Sequence, residues 1–128
     1  MLSEIERLPA QVAARPHLLR LGRLFSETVL IRVDDVEHYL VFDRGRIEAV
    51  LPGPSKKIPY RFAIATDGEA IAKFWELLPE PGFHDIFGLV KTGRAEILGD
   101  ILALVKNLRF FKEVLALPRG ARVTGESA

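Results

Sequence analysis

The side chains best suited to proton transfer or metal binding are His17, His38 and His84, and no two stand at a spacing that builds a site. A helical metal pair needs ligands on one face, as in H-E-x-x-H, and no such run occurs. His84-Asp85 is an adjacent imidazole–carboxylate pair. Neighbours in sequence need not face each other, so a solvated loop pair is a better reading than a catalytic dyad. Ser55 lies in Gly53-Pro54-Ser55-Lys56-Lys57, which lacks the second glycine of a nucleophile elbow. Gly88-Leu89-Val90-Lys91-Thr92-Gly93 has the glycine spacing of a phosphate loop, but Arg94-Ala95 stand where the lysine and hydroxyl belong. Asp34, Asp35, Glu37 and Asp43 crowd two turn signals without the spacing of a cation loop. Cysteine is absent, which removes disulfides, zinc ribbons, iron–sulfur clusters and thiol catalysis together. The expectation is therefore no catalytic residue, no metal and no cofactor.

The elements that would position any other site follow from periodicity. Ser3 and Glu6 form a capping pattern at an early helix start, and Pro9 and Pro16 are expected to divide that region into two short helices. In the second, Leu18, Leu21 and Phe25 share a face. The period then changes to two, predicting strands over 28–33, 36–42 and 46–51, joined by tight turns at Asp34-Asp35 and Asp43-Arg44-Gly45. A Pro/Gly-rich loop over 52–59 leads to a fourth strand over 60–65, with Tyr60, Phe62 and Ile64 on one face. Thr66 and Glu69 open a helix with the stripe Ala70, Ile71, Phe74, Trp75 and Leu78, closed by Pro79 and Pro81. A short apolar helix over 83–90 and a fifth strand over 94–98 come next. One last helix is expected from Asp100 to about Leu117, with a frayed tail over 119–128.

Composition limits what these elements can do. The 128 residues suit one domain, and 48% hydrophobic with 27% charged residues is the balance of a globular chain. The net charge of +1 is too small for a general nucleic-acid footprint. Basic residues gather at the two ends, around an acidic middle; solvated helix faces are the better reading of such small numbers, and contact with an anionic membrane surface is the alternative. No apolar run approaches the ~20 residues of a spanning helix, and acids stand where a signal peptide has bases, so a cytoplasmic protein is expected. Mean hydropathy is slightly apolar, at +0.15. The surplus sits in the second half, where the final helix carries Ile101, Leu104, Val105, Leu108, Phe111 and Leu115 on one broad face.

The stretch Ile86-Phe87-Gly88-Leu89-Val90-Lys91-Thr92-Gly93-Arg94-Ala95-Glu96-Ile97-Leu98-Gly99-Asp100, continuing through Leu102-Ala103-Leu104-Val105-Lys106-Asn107-Leu108, resembles the ending of sterol carrier protein type-2-like domains. There a G-[KR]-x-x-[IL]-x-G-[DN] strand and turn leads into an apolar helix, and Gly93-Arg94 and Gly99-Asp100 match it. Ala63-Ile64-Ala65-Thr66-Asp67, entering a capped helix, is similar too. The resemblance spans about residues 18–117 of a single domain over 1–128. Around Gly82 and residues 83–90 the chain departs from the family's G-x-x-[DNS]-P run, so ligand identity does not carry over.

The resemblance implies an α+β fold: a five-stranded, largely antiparallel sheet with helices on one face enclosing an apolar cavity. It implies non-catalytic binding or transfer of an apolar lipid, either a sterol, a fatty acid or acyl-CoA, or a polyprenyl quinone precursor. The last enters because some ubiquinone-biosynthesis accessory proteins are similar to this family. Phe74, Leu78, Phe87, Leu102, Val105 and Phe111 are the expected lining; Lys106 and Arg109 read better as a solvated basic edge than as a rim that steers an anionic headgroup. Two other readings compete. One is an interaction or accessory subunit in lipid or ubiquinone biosynthesis without a cavity. The other is a small enzyme enclosing its substrate in the same space. Oligomeric state is not specified by these residues.

Overall fold

A computed structural model describes residues 2–119, with side chains from residue 4 onward. The Ser3 cap and the tail from residue 120 lie outside that description. The chain runs α1 (Leu2–Ala13), α2 (Pro16–Leu21), β1 (Thr28–Val33), β2 (Val36–Asp43), β3 (Arg46–Pro52), β4 (Phe62–Thr66), α3 (Gly68–Phe74), α4 (Ile86–Lys91), β5 (Ala95–Gly99), α5 (Ile101–Lys106) and α6 (Leu108–Ala116). One five-stranded sheet has the order β3-β2-β1-β4-β5. β1 and β4 pair in parallel, and the other three pairings are antiparallel. The expected α+β architecture is the one observed.

The β1–β2–β3 meander forms where alternation and turn chemistry agree. Asp34 takes φ 57° at the first turn, and Arg44 and Gly45 take φ 49° and 82° at the second. Those left-handed positions suit Asp and Gly. Val29, Ile31 and Val33 present one face, joined by Leu40, Phe42, Ile47, Phe62 and Ile64. All six helices pack on that face in one core, from Ile5, Leu8 and Val12 of α1 to Val114 and Leu115 of α6. The opposite face carries a small cluster of Leu30, Tyr39 and Ala63 under Ile58 of the 53–61 loop.

Five rings dominate the space between helices and sheet. Phe111 meets Phe25, Phe42, Phe62 and Phe110 edge to face, with centroids 5.0, 5.5, 5.2 and 5.1 Å away. Such T-shaped contacts contribute about 0.5–1.5 kcal/mol each beyond burial. Gly22 lets α2 approach this cluster closely. A Cβ there would stand 2.5 Å from Phe110 Cε1 and 2.9 Å from the Gly45 Cα.

Several boundaries differ from expectation. α1 continues through Pro9, and the chain breaks only at Pro16, the first residue of α2. An interior proline costs about 3 kcal/mol, and burying three side chains of the size of Ile5, Leu8 and Val12 returns about 1.5–3 kcal/mol each. Burial wins. β4 begins at Phe62, and Tyr60 instead stands over Tyr39 on the opposite face, 6.5 Å between centroids. Asp67, one residue beyond the expected Thr66, caps α3 by accepting from Ala70 N at 2.8 Å. α3 stops at Phe74, short of Leu78. There Trp75 Nε1 donates to Leu115 O at 2.8 Å, and Arg119 Nε donates to Phe74 O at 3.0 Å. α4 starts at Ile86, three residues later than expected, with Asp85 as its cap. The single helix expected from Asp100 to Leu117 is two. Asn107 breaks it at φ −118°, ψ 29°, its Nδ2 donating to Ala103 O at 2.9 Å.

Candidate functional site

The break at Asn107 decides which apolar residues reach the surface. α6 buries Phe110, Phe111, Val114 and Leu115, whereas α5 buries Leu104 alone. Ile101, Leu102 and Val105 are left about half exposed, at 50%, 55% and 48%. Leu24, in the connection from α2 to β1, is 86% exposed. Leu24 and Phe25 on one side, and Leu102 and Ala103 on the other, line a groove of about 270 Å³. Lys106, Asn107, Glu27, Arg61 and Asp100 complete its wall.

The polar part of that wall also holds α5 against the sheet. Arg61 grips Glu27 through Nε at 2.7 Å and Nη2 at 2.8 Å, and reaches Asp100 through Nη1 at 3.5 Å. The hydrogen bond and charge of Glu27 raise the Arg61 pKa further above its ordinary range. Asp100 caps α5 by accepting from Ala103 N at 3.3 Å, and its own N donates to Arg61 O at 2.9 Å. The turn before it needs Gly99, which takes φ +86° with a virtual Cβ only 2.8 Å from Arg61 O. α5 is thus a six-residue helix with one buried anchor, tied at its N-terminus to the starts of β1 and β4. Arg61, Glu27 and Asp100 also line a neighbouring depression of about 380 Å³ with Thr28 and Tyr60.

A third depression, about 490 Å³, lies near the C-terminal end of β4. Part of its charge is internally paired. Arg94 Nη2 reaches Asp67 at 3.3 Å and Glu69 at 3.2 Å. The Asp67 carboxyl is held below its ordinary value of 3.8, first by the Ala70 backbone hydrogen bond and then by Arg94. Among the described residues, no group of three or more His, Asp or Glu is placed to hold a metal ion. Asp85 accepts from Gly88 N at 2.9 Å, the His84 carbonyl accepts from Arg119 Nη2 at 2.9 Å, and Ser55 Oγ accepts from Lys57 N at 3.2 Å. His38 Nδ1 and Gln11 Oε1 are buried without a hydrogen-bond partner among the described residues, and neither lines a groove.

The six residues expected to share one elongated cavity occupy different settings. Leu102 lines the groove and Val105 stands one turn along the same helix. Phe111 lies behind Phe25, packed into the ring cluster. Phe74 is fully buried under Arg119, and Phe87 is half-buried against the core. Leu78 is 86% exposed beyond the end of α3. The two helix ends, at Phe74 and Asn107, separate them. Sequence reasoning did not single out Leu24 or Arg61. An isolated leucine between Arg23 and the strand start was the one available signal.

No protein-family model matches the sequence. No curated protein matches it significantly. Solved structures do share its fold. A crystal structure of sterol carrier protein 2 superposes with a TM-score of 0.72 at 13% identity, covering 91% of this chain and 94% of that one. The ubiquinone synthesis protein UbiJ-SCP2 superposes at 0.60 with 17% identity over 88% and 90%. Sterol carrier protein 2 from Yarrowia lipolytica, in its apo form, gives 0.57 with 11% identity over 91% and 88%. The sterol-carrier-like fold expected from the ending around Gly93 and Gly99 is the fold found.

Proposed function

We propose that this protein binds or transfers an apolar lipid without catalysis, with the Leu24–Leu102 groove as the place where the ligand tail is taken up. The observation that carries the reading is the aliphatic row of α5, half exposed beside a groove whose apolar part is Leu24, Phe25, Leu102 and Ala103, on a sterol-carrier-like fold. Leu24, Phe25 and Leu102 line the groove, Val105 stands half exposed one turn along α5, and Phe111 packs against Phe25.

Magnitudes limit how this works. Pockets that enclose a small molecule hold about 300–1,000 Å³, and the groove has about 270 Å³. Six buried methylenes would supply about 5 kcal/mol gross at ~0.8 kcal/mol each, short of the ~8 kcal/mol of micromolar affinity. A dozen would supply about 10 kcal/mol before association costs. Full binding therefore requires α5 to move and admit the tail toward the ring cluster. A fatty acid, an acyl-CoA, a sterol or a polyprenyl quinone precursor each has enough apolar length. Ligand exchange would take place at a membrane surface, in the cytoplasm. Among the described residues, no helix is long and apolar enough to cross a membrane.

One observation favours a second reading, an accessory subunit without a ligand cavity: the space between helices and sheet is occupied by the five packed rings. Organic extraction of the purified protein, followed by mass spectrometry, separates the two. The lipid reading predicts one apolar species enriched in near-stoichiometric amount. Extracts with none, together with no binding of added fatty acid, would favour the accessory subunit.

A further inference from the structure

We propose that the face carrying Leu24, Ile101, Leu102 and Val105 docks on an anionic bilayer, so that the groove opens directly onto the membrane. The inference deepens the lipid-binding reading and rests on it, because a tail bound there must leave and re-enter a bilayer.

The four side chains are all branched aliphatics, between 48% and 86% exposed, and lie on one side of the groove mouth or on α5 beside it. Protein-binding hot spots favour Trp, Tyr and Arg in pockets, with Leu and Val under-represented. A row of exposed aliphatics without an aromatic is a better match to acyl chains. Charge points the same way. Arg20 and Arg23 sit at the end of α2 next to Leu24, with Arg23 Nη1 donating to Arg20 O at 2.8 Å. Lys106 lines the groove itself. None of these three makes an ion pair among the described residues. The nearby acids are already engaged: Glu27 and Asp100 with Arg61, and Glu113 with His17 and Arg109. Free cations around exposed aliphatics suit a surface that is negative outside and apolar within.

Co-sedimentation tests this with vesicles of phosphatidylcholine alone and with three-tenths phosphatidylserine. The full chain should pellet with the anionic vesicles at low salt and be released as salt shortens electrostatic reach. Arg20→Gln/Arg23→Gln should weaken that binding about thirtyfold, and Ile101→Asp by at least about tenfold. Leu77→Ser, at a residue 54% exposed elsewhere, should leave it unchanged. Circular dichroism confirms folding, and fluorescent fatty-acid binding without vesicles should survive Arg20→Gln/Arg23→Gln. Failure of the wild type to pellet while it still binds the fatty acid would overturn docking and spare the lipid reading. Equal loss in Leu77→Ser would overturn it too. So would sedimentation equilibrium showing a dimer that Ile101→Asp dissociates, since a second copy would then cover the face.

Discussion

Replacing Phe111 with alanine tests whether the space between helices and sheet is packed core or ligand cavity. The ring is fully buried and touches four others at 5.0–5.5 Å between centroids. Removing a buried phenylalanine costs about 3–5 kcal/mol, combining lost transfer free energy with the hole left behind. Four edge-to-face partners place this site in the upper part of that range. Domains of this kind are stable by about 5–15 kcal/mol, so the loss is a large fraction of the whole. In urea melts followed by circular dichroism, a slope of about 1–3 kcal/mol per molar converts it to a midpoint drop of at least about 1 M. Leu102→Ala, at a residue 55% exposed, should stay within about 0.5 kcal/mol of wild type. A Phe111→Ala protein losing less than about 1 kcal/mol would refute the reasoning. The ring would then border open space, as a cavity wall does.

Further outcomes follow from particular contacts. Gly22→Ala should cost about 1–3 kcal/mol in the same melts, because its Cβ would meet Phe110 and the Gly45 backbone. The Asp67 carboxyl has a lowered pKa in the folded state, so its stabilisation is present above the ordinary value of 3.8 and lost as pH falls through the folded value. Urea midpoints of wild type and Asp67→Asn should accordingly differ at pH 7 and converge toward pH 2. Arg119→Ala removes the hydrogen bonds to Phe74 O and His84 O, and limited proteolysis should then cut faster within residues 75–85.

What the sequence revealed followed the range of the forces involved. The meander was legible because alternation in 28–51 and the turn residues at Asp34 and Gly45 act locally. The ending around Gly93 and Gly99 was legible because left-handed turns demand glycine there. The parallel pairing of β1 with β4 has no local signal, since it joins segments about thirty residues apart. The early end of α3 was illegible for a related reason: the atoms that seal it, Leu115 O and the Arg119 guanidinium, are distant in sequence. At Asn107 the competition is local. A single side-chain amide turned on its own helix divides an apolar stripe that periodicity reads as continuous. That division leaves Leu102 at a surface groove and Val105 half exposed beside it, while Phe111 stays inside.

The central claim, that an apolar tail enters at the Leu24–Leu102 groove, is tested most directly by ¹⁵N NMR titration of lipid-free protein with a sixteen-carbon fatty acid. Saturable shifts should begin at Leu24, Phe25, Leu102 and Ala103 and extend to the ring cluster through Phe111, and Leu102→Asp should abolish them. No saturable change, or shifts centred on Arg32 and Glu96 at the far depression, would contradict the account.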